Sequence, residues 1–255
     1  MRMRQLIVQL PWLLLPLASV AEPMTPLRLA TLEWRPFVAS HLPGEGLTSR
    51  LVASAAALID LRAEFDYLPW VRAMKLGADD VRYAGYFPAY YTEQRARTCN
   101  LSAAIGTSSV GLAYLKKTPV DWHTLADLQH VKIGVVLGYS NGKEFDAMVA
   151  AGALDVERSG TDLLNLKKLL AGRFRAIVID RVVLQYLLLT DPTLAVQQSQ
   201  IEFHPRPLAQ LSMHICFQRT PAGRELQTAF DAALRQIDIP QFETAYFERL
   251  KTGLR

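Results

Sequence analysis

The sequence has little cysteine, no block of basic residues and no paired histidines, and each absence excludes a class of protein. Two cysteines among 255 residues are too few for a scaffold held together by disulfides. Lysine and arginine form no run or stripe, which argues against nucleic acid as a partner. The five histidines lack the spacing of metal ligands, so we expect no metal site, and no motif indicates a cofactor.

The N-terminus differs in composition from the rest of the chain. Residues 1–4 are basic, residues 6–20 are largely apolar, and small residues stand at the −3 and −1 positions before Glu22. This pattern predicts a secretory signal peptide over residues 1–21. Its removal takes away two of the 28 basic residues and lowers the formal net charge from +4 to +2. No later stretch approaches the roughly 20 apolar residues of a membrane span, so we expect a soluble, secreted product.

The rest of the chain alternates short strands with amphipathic helices. Apolar runs bounded by turn residues predict strands at residues 27–32, 63–68, 81–85, 131–137, 176–179 and 211–218. Apolar faces of helical period predict helices at residues 51–59, 71–76, 143–151, 162–170, 181–190, 222–237 and 242–250. Thr48 or Ser49 is expected to cap the first helix, and Thr124 with Asp127 to form a capping box. The alternation predicts a mostly parallel sheet covered by helices, an α/β fold.

The stretch over residues 86–102 is unlike an ordinary structural segment. It places four aromatic rings, a proline and two arginines between a predicted strand and an apolar continuation. Rings can desolvate a ligand, and a planar guanidinium can fork onto a carboxylate. Because a core strand would be more uniformly apolar, we expect this stretch to line a small-molecule pocket. The alternative is an aromatic-rich edge strand followed by a charged turn.

Short motifs elsewhere in the chain follow one another in a recognisable order. They are Trp34-x-Pro-Phe37, Pro69-Trp-Val-Arg72, Thr92-Glu-Gln-Arg95, Leu101-Ser102, Gly138-Tyr-Ser-x-Gly142-x-x-Phe145 and Leu170-Ala-Gly-Arg173 before Asp180. Together they resemble the extracellular solute-binding proteins of polar amino-acid ABC transporters, family 3. The resemblance covers essentially the whole chain after the predicted signal peptide.

This resemblance implies a periplasmic binding protein-like type II fold, with two α/β lobes and a double crossover hinge. Lobe one would comprise residues 26–105 plus 210–255, and lobe two residues 106–209. The ligand would be a small polar solute held in the interlobe cleft as the lobes close. The resemblance further implies a periplasmic protein, expected to be a monomer, that hands its solute to an inner-membrane ABC permease.

The resemblance also assigns roles to matching residues. Arg95 would hold the ligand's carboxylate, which agrees with the fork geometry of guanidinium groups, and Asp180 would hold its ammonium group. The rings of Trp34 and Trp70 would stack against the ligand. The remaining candidates for ligand contact are Arg72, Phe87, Tyr90, Tyr139 and Ser140.

Two departures from the family pattern affect this assignment. Where the amino-acid binders carry small hydroxylic residues before the Thr-x-x-Arg motif, this chain carries Phe87, Pro88 and Tyr90. The pocket is therefore expected to be narrower or differently shaped, which argues against an α-amino acid. Arg175 stands where the family commonly carries an acidic residue.

The two cysteines fall, by the same resemblance, on lobe one near the crossover strands. Cys99 and Cys216 would share an oxidising compartment. They either form a disulfide across a long loop or remain two separate buried thiols.

Three other functions fit the same residues. Gly138-Tyr-Ser140-Asn-Gly142 matches the G-x-S-x-G nucleophile motif of hydrolases, and Asp180 followed by His204 or His214 would complete a triad. A dehydratase on the same fold would use Glu93 or Asp180 as general acid. A sensory protein would deliver its ligand to a membrane receptor. We favour a binding protein that is not an enzyme, although Trp34 and Trp70 can also be core residues and Asp180 can simply cap the helix that follows it.

Overall fold

The computed structural model describes residues 24–253, so the predicted signal peptide lies outside the described residues. Within this range the chain alternates strands with helices, as predicted. No helix over residues 24–253 combines the length and the hydrophobicity that crossing a membrane requires.

The strands are short and most of their residues are buried or half-buried. They are β1 (Thr25–Thr31), β2 (Leu61–Tyr67), β3 (Gly85–Tyr90), β4 (Asn100–Leu101), β5 (Thr107–Leu115), β6 (Ile133–Val136), β7 (Val156–Ser159), β8 (Ala176–Asp180), β9 (Ile201–Phe203) and β10 (Ala209–Phe217).

The helices pack on this sheet through apolar faces. They are α1 (Leu47–Ala57), α2 (Trp70–Asp79), α3 (Glu93–Thr98), α4 (Lys143–Ala150), α5 (Asp162–Leu170), α6 (Arg181–Thr190), α7 (Pro192–Ala195), α8 (Pro221–Leu234) and α9 (Ile239–Gly253). Short 3₁₀ turns occupy Pro43–Glu45, Leu125–Leu128 and Gln198–Gln200.

The strands follow the order β2-β1-β3-β10-β5-β8-β6-β7. Strands within each half pair in parallel, as in β1 with β2 and β3 and in β6 with β7 and β8. Pairs that involve β5 or β10 are antiparallel. The prediction of a mostly parallel sheet was therefore wrong. The two strands that connect the halves run antiparallel, because the chain leaves one half and returns to it.

Strand β10 changes partners along its length. Residues Ala209 to Ser212 pair with β5, whereas Met213 to Phe217 pair with β3 and β4. Strands β3 and β4, before residue 105, therefore pair with the part of β10 that follows residue 212, and the strands of residues 106–209 lie on the other side of this point. We use the predicted limits, residues 26–105 plus 210–255 and residues 106–209, as lobe one and lobe two.

Helix starts follow local chemistry in most places. Thr161 Oγ1 accepts a hydrogen bond from the backbone N–H of Leu164 at 3.1 Å and so caps α5, and the capping box of Thr124 and Asp127 is present. The predicted cap of α1 was wrong. Gly46 precedes that helix, and Thr48 and Ser49 lie buried in its first turn.

The aromatic stretch contains the main correction to the fold. Strand β3 occupies Gly85–Tyr90 instead of residues 81–85, and all six of its residues are buried. It lies between β1 and β10 in the sheet, so it is neither a loop nor an edge strand. Its rings pack face to edge with neighbours, as in Tyr86 with Trp70 at 5.6 Å between ring centroids. A strand rich in aromatic rings thus lies in the core, where we had expected a more uniformly apolar segment.

The cysteines are joined. Cys99, directly after α3, and Cys216, in β10, form a disulfide with their Cα atoms 5.5 Å apart. This settles the choice between a bridge and two thiols in favour of the bridge. The disulfide ties the end of α3 to the strand that both halves share.

Candidate functional site

A small cavity lies where the two lobes meet. Its volume is about 20 Å³, which is room for roughly one water molecule. We call it the aromatic cavity, and it is lined by Leu32, Trp34, Trp70, Pro88, Tyr90, Arg95, Tyr139 and Ser140.

A wider groove of about 720 Å³ adjoins the aromatic cavity. We call it the outer groove. It shares Arg95, Tyr139 and Ser140 with the cavity and adds Glu93 of lobe one and Lys143 of lobe two. The two spaces therefore form one cleft with a narrow apolar interior and a wide polar mouth.

Six of the nine predicted ligand residues line the aromatic cavity. Lobe one contributes four and lobe two contributes two, and they are Trp34, Trp70, Tyr90, Arg95, Tyr139 and Ser140. Side chains that are distant in sequence thus converge from both lobes. This convergence matches what a cleft that closes around a ligand requires.

The rings of the cavity stand nearly perpendicular to one another. Trp34 meets Tyr90 at 5.9 Å between centroids and 83°, and it meets Tyr139 at 6.3 Å and 81°. Trp70 meets Tyr139 at 6.4 Å and 87°. Edge-to-face contacts of this kind are stable arrangements of aromatic rings. The cavity is therefore a box with aromatic walls.

Arg95 stands at the junction of the aromatic cavity and the outer groove. Its position is set by α3, where Thr92 Oγ1 accepts a hydrogen bond from the Arg95 N–H at 3.0 Å. The guanidinium donates from Nη1 to the carbonyl oxygen of Tyr90 at 2.8 Å and lies 6.0 Å from the ring centroid of Trp70. No carboxylate of residues 24–253 forms a salt bridge with it. The guanidinium of Arg95 is therefore held in place by a hydrogen bond, and its positive charge is not neutralised by an ion pair within residues 24–253.

The lobes touch across the cleft. Trp70 Nε1 of lobe one donates to the carbonyl oxygen of Gly138 in lobe two at 3.1 Å, and Lys143 pairs with Glu93 at 2.7 Å. Gly138 has a φ of 82°, and a Cβ there would lie 3.0 Å from the Cε of Met74. The turn after β6 therefore packs directly on α2, and the cleft is closed.

Three predicted ligand residues lie outside the aromatic cavity. Phe87 is fully buried in lobe one, where its ring packs on Phe65 at 5.0 Å, because alternate residues of a strand face opposite sides of the sheet. Arg72 is exposed on α2 and lines neither space. The assignment of these two side chains to the ligand was wrong for this closed arrangement.

Asp180 is the third predicted ligand residue that lies outside the aromatic cavity. Its Oδ1 accepts from the N–H groups of Val182 at 2.7 Å and Val183 at 2.9 Å, so it caps α6. Its Oδ2 accepts from Ser108 Oγ at 2.6 Å, and the Ser108 oxygen in turn meets the hydroxyl of Tyr90 at 2.7 Å. The acceptor atoms of Asp180 are thus used within the protein. The capping alternative describes these contacts, and the role of Asp180 towards a ligand's ammonium group stays a prediction.

The predicted catalytic alternatives are not assembled. Ser140 Oγ donates to Asp146 Oδ2 at 2.6 Å and contacts no histidine. The ring of His214 is bonded to Ser102 and Ser212, and His204 bonds to the backbone of residue 206. The serine hydrolase triad was therefore wrong.

The acids named for a dehydratase are also not placed for proton transfer. Glu93 is exposed, and its ion pair with Lys143 lowers its pKa. Asp180 is occupied as a helix cap. A general acid needs a proton to give and a path to the substrate, and neither side chain provides both.

Asp162 is a buried acidic residue beside the cleft that the sequence analysis missed, and it lines neither the aromatic cavity nor the outer groove. It is the first residue of α5 and is only 7% exposed, next to the side chains of Trp34 and Tyr139. Burial raises its pKa to about 7, the charge of Asp180 adds to this, and Trp34 and Tyr139 oppose it. An acidic residue in the first turn is an ordinary helix signal, so nothing in the sequence marked Asp162 as a buried neighbour of the cleft.

No group of three histidine, cysteine, aspartate or glutamate side chains within residues 24–253 is arranged to hold a metal ion. The chemistry of the site is that of aromatic rings and a guanidinium, with a buried carboxyl group beside them. Such a set has the chemistry to bind and orient a small molecule.

Solved structures of similar fold include binding proteins and a sensor domain. An ancestral arginine-binding protein bound to arginine matches with a TM-score of 0.73 at 16% identity, over 89% of this chain and 98% of that chain. The fold is that of type II periplasmic binding proteins. A histidine kinase sensor domain with similarity to periplasmic binding proteins gives a TM-score of 0.74 at 17% identity, over 89% and 96% of the two chains.

A third structure of this fold is an ancestral amino acid-binding protein described as a precursor of cyclohexadienyl dehydratase. It matches with a TM-score of 0.67 at 16% identity, over 88% of this chain and 94% of that chain. No protein-family model and no curated protein matches the sequence. Identities this low establish the periplasmic binding protein fold alone, so function must be argued from the cleft.

Proposed function

We propose that this protein captures a small polar solute, amino-acid-like or a carboxylate, between its two lobes. One observation supports this above all others. Aromatic rings of both lobes and the guanidinium of Arg95 converge on the aromatic cavity at the point where the lobes touch. Ligand binding in such a cleft couples directly to lobe closure.

Charged and aromatic residues of the cleft have different roles in this proposal. Arg95 holds a carboxylate, because its guanidinium forms no ion pair with residues 24–253 and presents a fork of N–H donors. The rings of Trp34, Trp70, Tyr90 and Tyr139 surround the body of the ligand and exclude water. These roles are the part of the proposal that mutagenesis can examine residue by residue.

The size of the aromatic cavity requires movement. A space of about 20 Å³ cannot hold an amino acid or a dicarboxylate. The lobes therefore separate to admit the solute and close again around it, with β5 and β10 as the flexible connection. Contacts such as Trp70 with Gly138 would be remade at a slightly wider spacing.

The proposal places the protein in the periplasm, on the basis of the predicted signal peptide at residues 1–21. There it acts as a monomer that delivers its solute to an inner-membrane ABC permease. The same capture could serve a membrane sensor, a second role that the likeness to a histidine kinase sensor domain favours.

A thermal-shift screen of the secreted protein tests the proposal. The panel comprises amino acids, amines, opines and small carboxylates, each at several concentrations. A ligand present at 100 times its dissociation constant stabilises the folded protein by about 2.7 kcal/mol, so a true ligand raises the melting temperature in a concentration-dependent way. If no compound raises it, solute capture is contradicted.

A further inference from the structure

The aromatic cavity is lined by one cationic side chain and by no carboxylate. Among residues 24–253, Arg95 is the only charged residue of its lining, and every other lining residue except Ser140 is aromatic or aliphatic. The hydroxyl of Ser140 donates its proton to Asp146, so its oxygen can only accept from a ligand. A molecule held in this cavity therefore meets one positive charge and largely apolar walls.

The carboxyl group of Asp180 is already filled with donors from the protein. Its Oδ1 accepts from the N–H groups of Val182 and Val183, and its Oδ2 accepts from the Ser108 hydroxyl at 2.6 Å. The Ser108 oxygen in turn meets the hydroxyl of Tyr90, a wall of the cavity, at 2.7 Å. The chain of Tyr90 and Ser108 thus occupies the carboxylate oxygen that an ammonium group of a ligand would need.

The carboxyl group of Asp162 is engaged in a similar way. It is buried and lines neither the aromatic cavity nor the outer groove. Burial raises its pKa, and the indole of Trp34 and the hydroxyl of Tyr139, which face the carboxyl group, lower it as hydrogen-bond donors. Two walls of the cavity therefore direct their polar atoms at Asp162, and the protein itself supplies its partners.

The carboxylates of the outer groove also have partners. Glu93 pairs with Lys143 at 2.7 Å. Asp146 accepts from the Ser140 hydroxyl at 2.6 Å and from the N–H group of Asn141 at 3.0 Å. Within residues 24–253, each carboxylate that lines the cleft thus already has a donor from the protein.

The aromatic rings do not replace the missing carboxylate. Ring faces attract cations, but the guanidinium of Arg95 already lies 6.0 Å from the ring centroid of Trp70. An α-ammonium group is attached to the carbon next to the carboxylate, so binding that carboxylate to Arg95 would bring two positive charges together. Like charges repel more strongly where water is excluded. A hydrogen, hydroxyl or keto group at the same carbon avoids this repulsion.

We propose that the cleft selects a monocarboxylate that has an apolar body and no ammonium group. Its carboxylate meets Arg95, and its body lies among the rings of the aromatic cavity. The inference rests on the proposed capture of a solute between the lobes and narrows the class of that solute. The occupied state of Asp180, maintained by Ser108 and Tyr90, excludes the zwitterion.

Pairs of acids that differ only at the carbon next to the carboxylate provide the test. Titration calorimetry of the secreted protein compares 3-phenylpropanoate with phenylalanine and 4-methyl-2-oxopentanoate with leucine. We expect at least one acid without an ammonium group to bind about ten times more tightly than its amino acid, because it avoids the repulsion by Arg95. The amine 2-phenylethylamine, which lacks the carboxylate, should not bind.

The double variant Tyr90→Phe, Ser108→Ala tests the role of Asp180. It keeps the ring in the cavity wall and removes both hydroxyls, so Oδ2 of Asp180 loses its donor and can attract an ammonium group. The preference for the acid over the amino acid should fall to about threefold or less. Ser108→Ala alone should shift the preference in the same direction, and circular dichroism verifies that both variants fold.

Ser109→Ala is the matched control for Ser108→Ala. Ser109 is the next residue of β5, so its side chain faces the other side of the strand, where its Oγ accepts from Gln210 Nε2 at 3.0 Å. The loss of this hydroxyl should leave the preference unchanged. An equal fall in both single variants would show that β5 as a whole, and not the occupied carboxylate of Asp180, sets the preference, and would overturn that part of the inference.

The outcomes separate this inference from the proposed function. If amino acids bind as well as or better than the matching acids, or if the only ligands found are amines or dicarboxylates, the inference is wrong while solute capture stands. A preference that survives intact in the double variant would contradict the role given to Asp180. If neither these probes nor the wider panel bind, both proposals are contradicted.

Discussion

Arg95 is the residue on which carboxylate recognition rests. Arg95→Ala should weaken the binding of a carboxylate ligand by about 2 to 5 kcal/mol, because truncation leaves a desolvated charge without its partner. The fold should be unaffected, since the side chain makes only one strong hydrogen bond, to the carbonyl oxygen of Tyr90. Titration calorimetry measures the loss.

The matched control for this experiment is Arg97→Ala. Arg97 is an exposed residue of the same short helix and does not line the aromatic cavity. A ligand whose affinity drops equally in both variants would show that the helix, and not the guanidinium of Arg95, matters.

The carboxyl group of Asp162 makes the stability of the ligand-free protein depend on pH. Its pKa is raised to about 7 by burial, so between roughly pH 4 and pH 7 the folded protein holds a proton that the unfolded chain releases. Stability therefore falls as the pH rises through this window, by an amount on the order of 2 to 4 kcal/mol. Urea unfolding at pH 5 and pH 8 measures the difference.

Asp162→Asn should reduce this pH dependence and make the protein more stable at pH 8. Asp180, Glu45 and Glu243, whose pKa values burial also raises, contribute to what remains. A variant with the pH profile of the wild type would show that Asp162 does not carry the proton.

Ser140 should be chemically inert. Its hydroxyl donates to the carboxylate of Asp146, and no histidine activates it, so it is a poor nucleophile. Incubation with an active-site phosphonate should leave the intact mass of the protein unchanged. Stoichiometric labelling at Ser140 would reinstate a hydrolase.

At the scale of elements, the position of helix α3 is fixed by the disulfide directly after it. The backbone N–H of Cys99 bonds to the carbonyl oxygen of Arg95 at 2.9 Å, and the bridge to Cys216 closes a loop of 117 residues. Replacing both cysteines with serine should lower the free energy of unfolding by about 2 to 5 kcal/mol. It should also weaken carboxylate binding, because the helix that carries Arg95 loses its anchor.

Urea unfolding and calorimetry of the double serine variant measure these two effects. Mass spectrometry of the non-reduced wild type provides the reference and should show no free thiol. If the wild type takes up two alkylating groups, the bridge is absent and the expected losses do not apply.

Elements in lobe two were predicted most accurately from the sequence. Helix α6, over Arg181–Thr190, has its predicted limits, because Asp180 and Asp191 mark its ends through contacts a few residues away. Strand β3 was misplaced because its burial depends on β1 and β10, which are remote in sequence. Local patterns predict elements whose signals are local, and they fail where distant neighbours decide.

For the candidate site too, residues with local signals were predicted and residues that depend on distant neighbours were not. Trp34, Arg95 and Tyr139 were named through the resemblance to a family, and the aromatic stretch at residues 86–102 pointed to Tyr90 and Arg95 from residue types alone. Asp162 was missed because its sequence context is that of any helix start, and its burial beside Trp34 and Tyr139 depends on residues that are distant in sequence. The role of Asp180 could not be decided without knowing which donors reach it.

At the scale of the whole molecule, closure depends on the fit of one turn against lobe one. A side chain at Gly138 would lie about 3.0 Å from atoms of Met74 and Val71. Gly138→Ala should therefore disfavour the closed arrangement and weaken ligand binding about tenfold, or 1.4 kcal/mol. Small-angle scattering with and without ligand should show less compaction than in the wild type.

Gly172→Ala is the matched control for Gly138→Ala. Gly172 has a similar positive φ of 71° but has no atom within 4 Å of an added Cβ. It should lose stability through backbone strain without losing affinity. Equal loss of affinity in both variants would mean that strain, and not contact between the lobes, is responsible.

The change of partners along β10 has a consequence for biosynthesis. A polypeptide emerges from the ribosome, and from a secretion channel, with its N-terminus first. Until residues 209–217 have emerged, β3 and β5 each lack the neighbour that β10 supplies, so each half of the sheet keeps one open strand edge. A chain that ends early keeps two open strand edges, which invite proteolysis and aggregation. One late strand thus makes the completion of both halves depend on the completion of the chain.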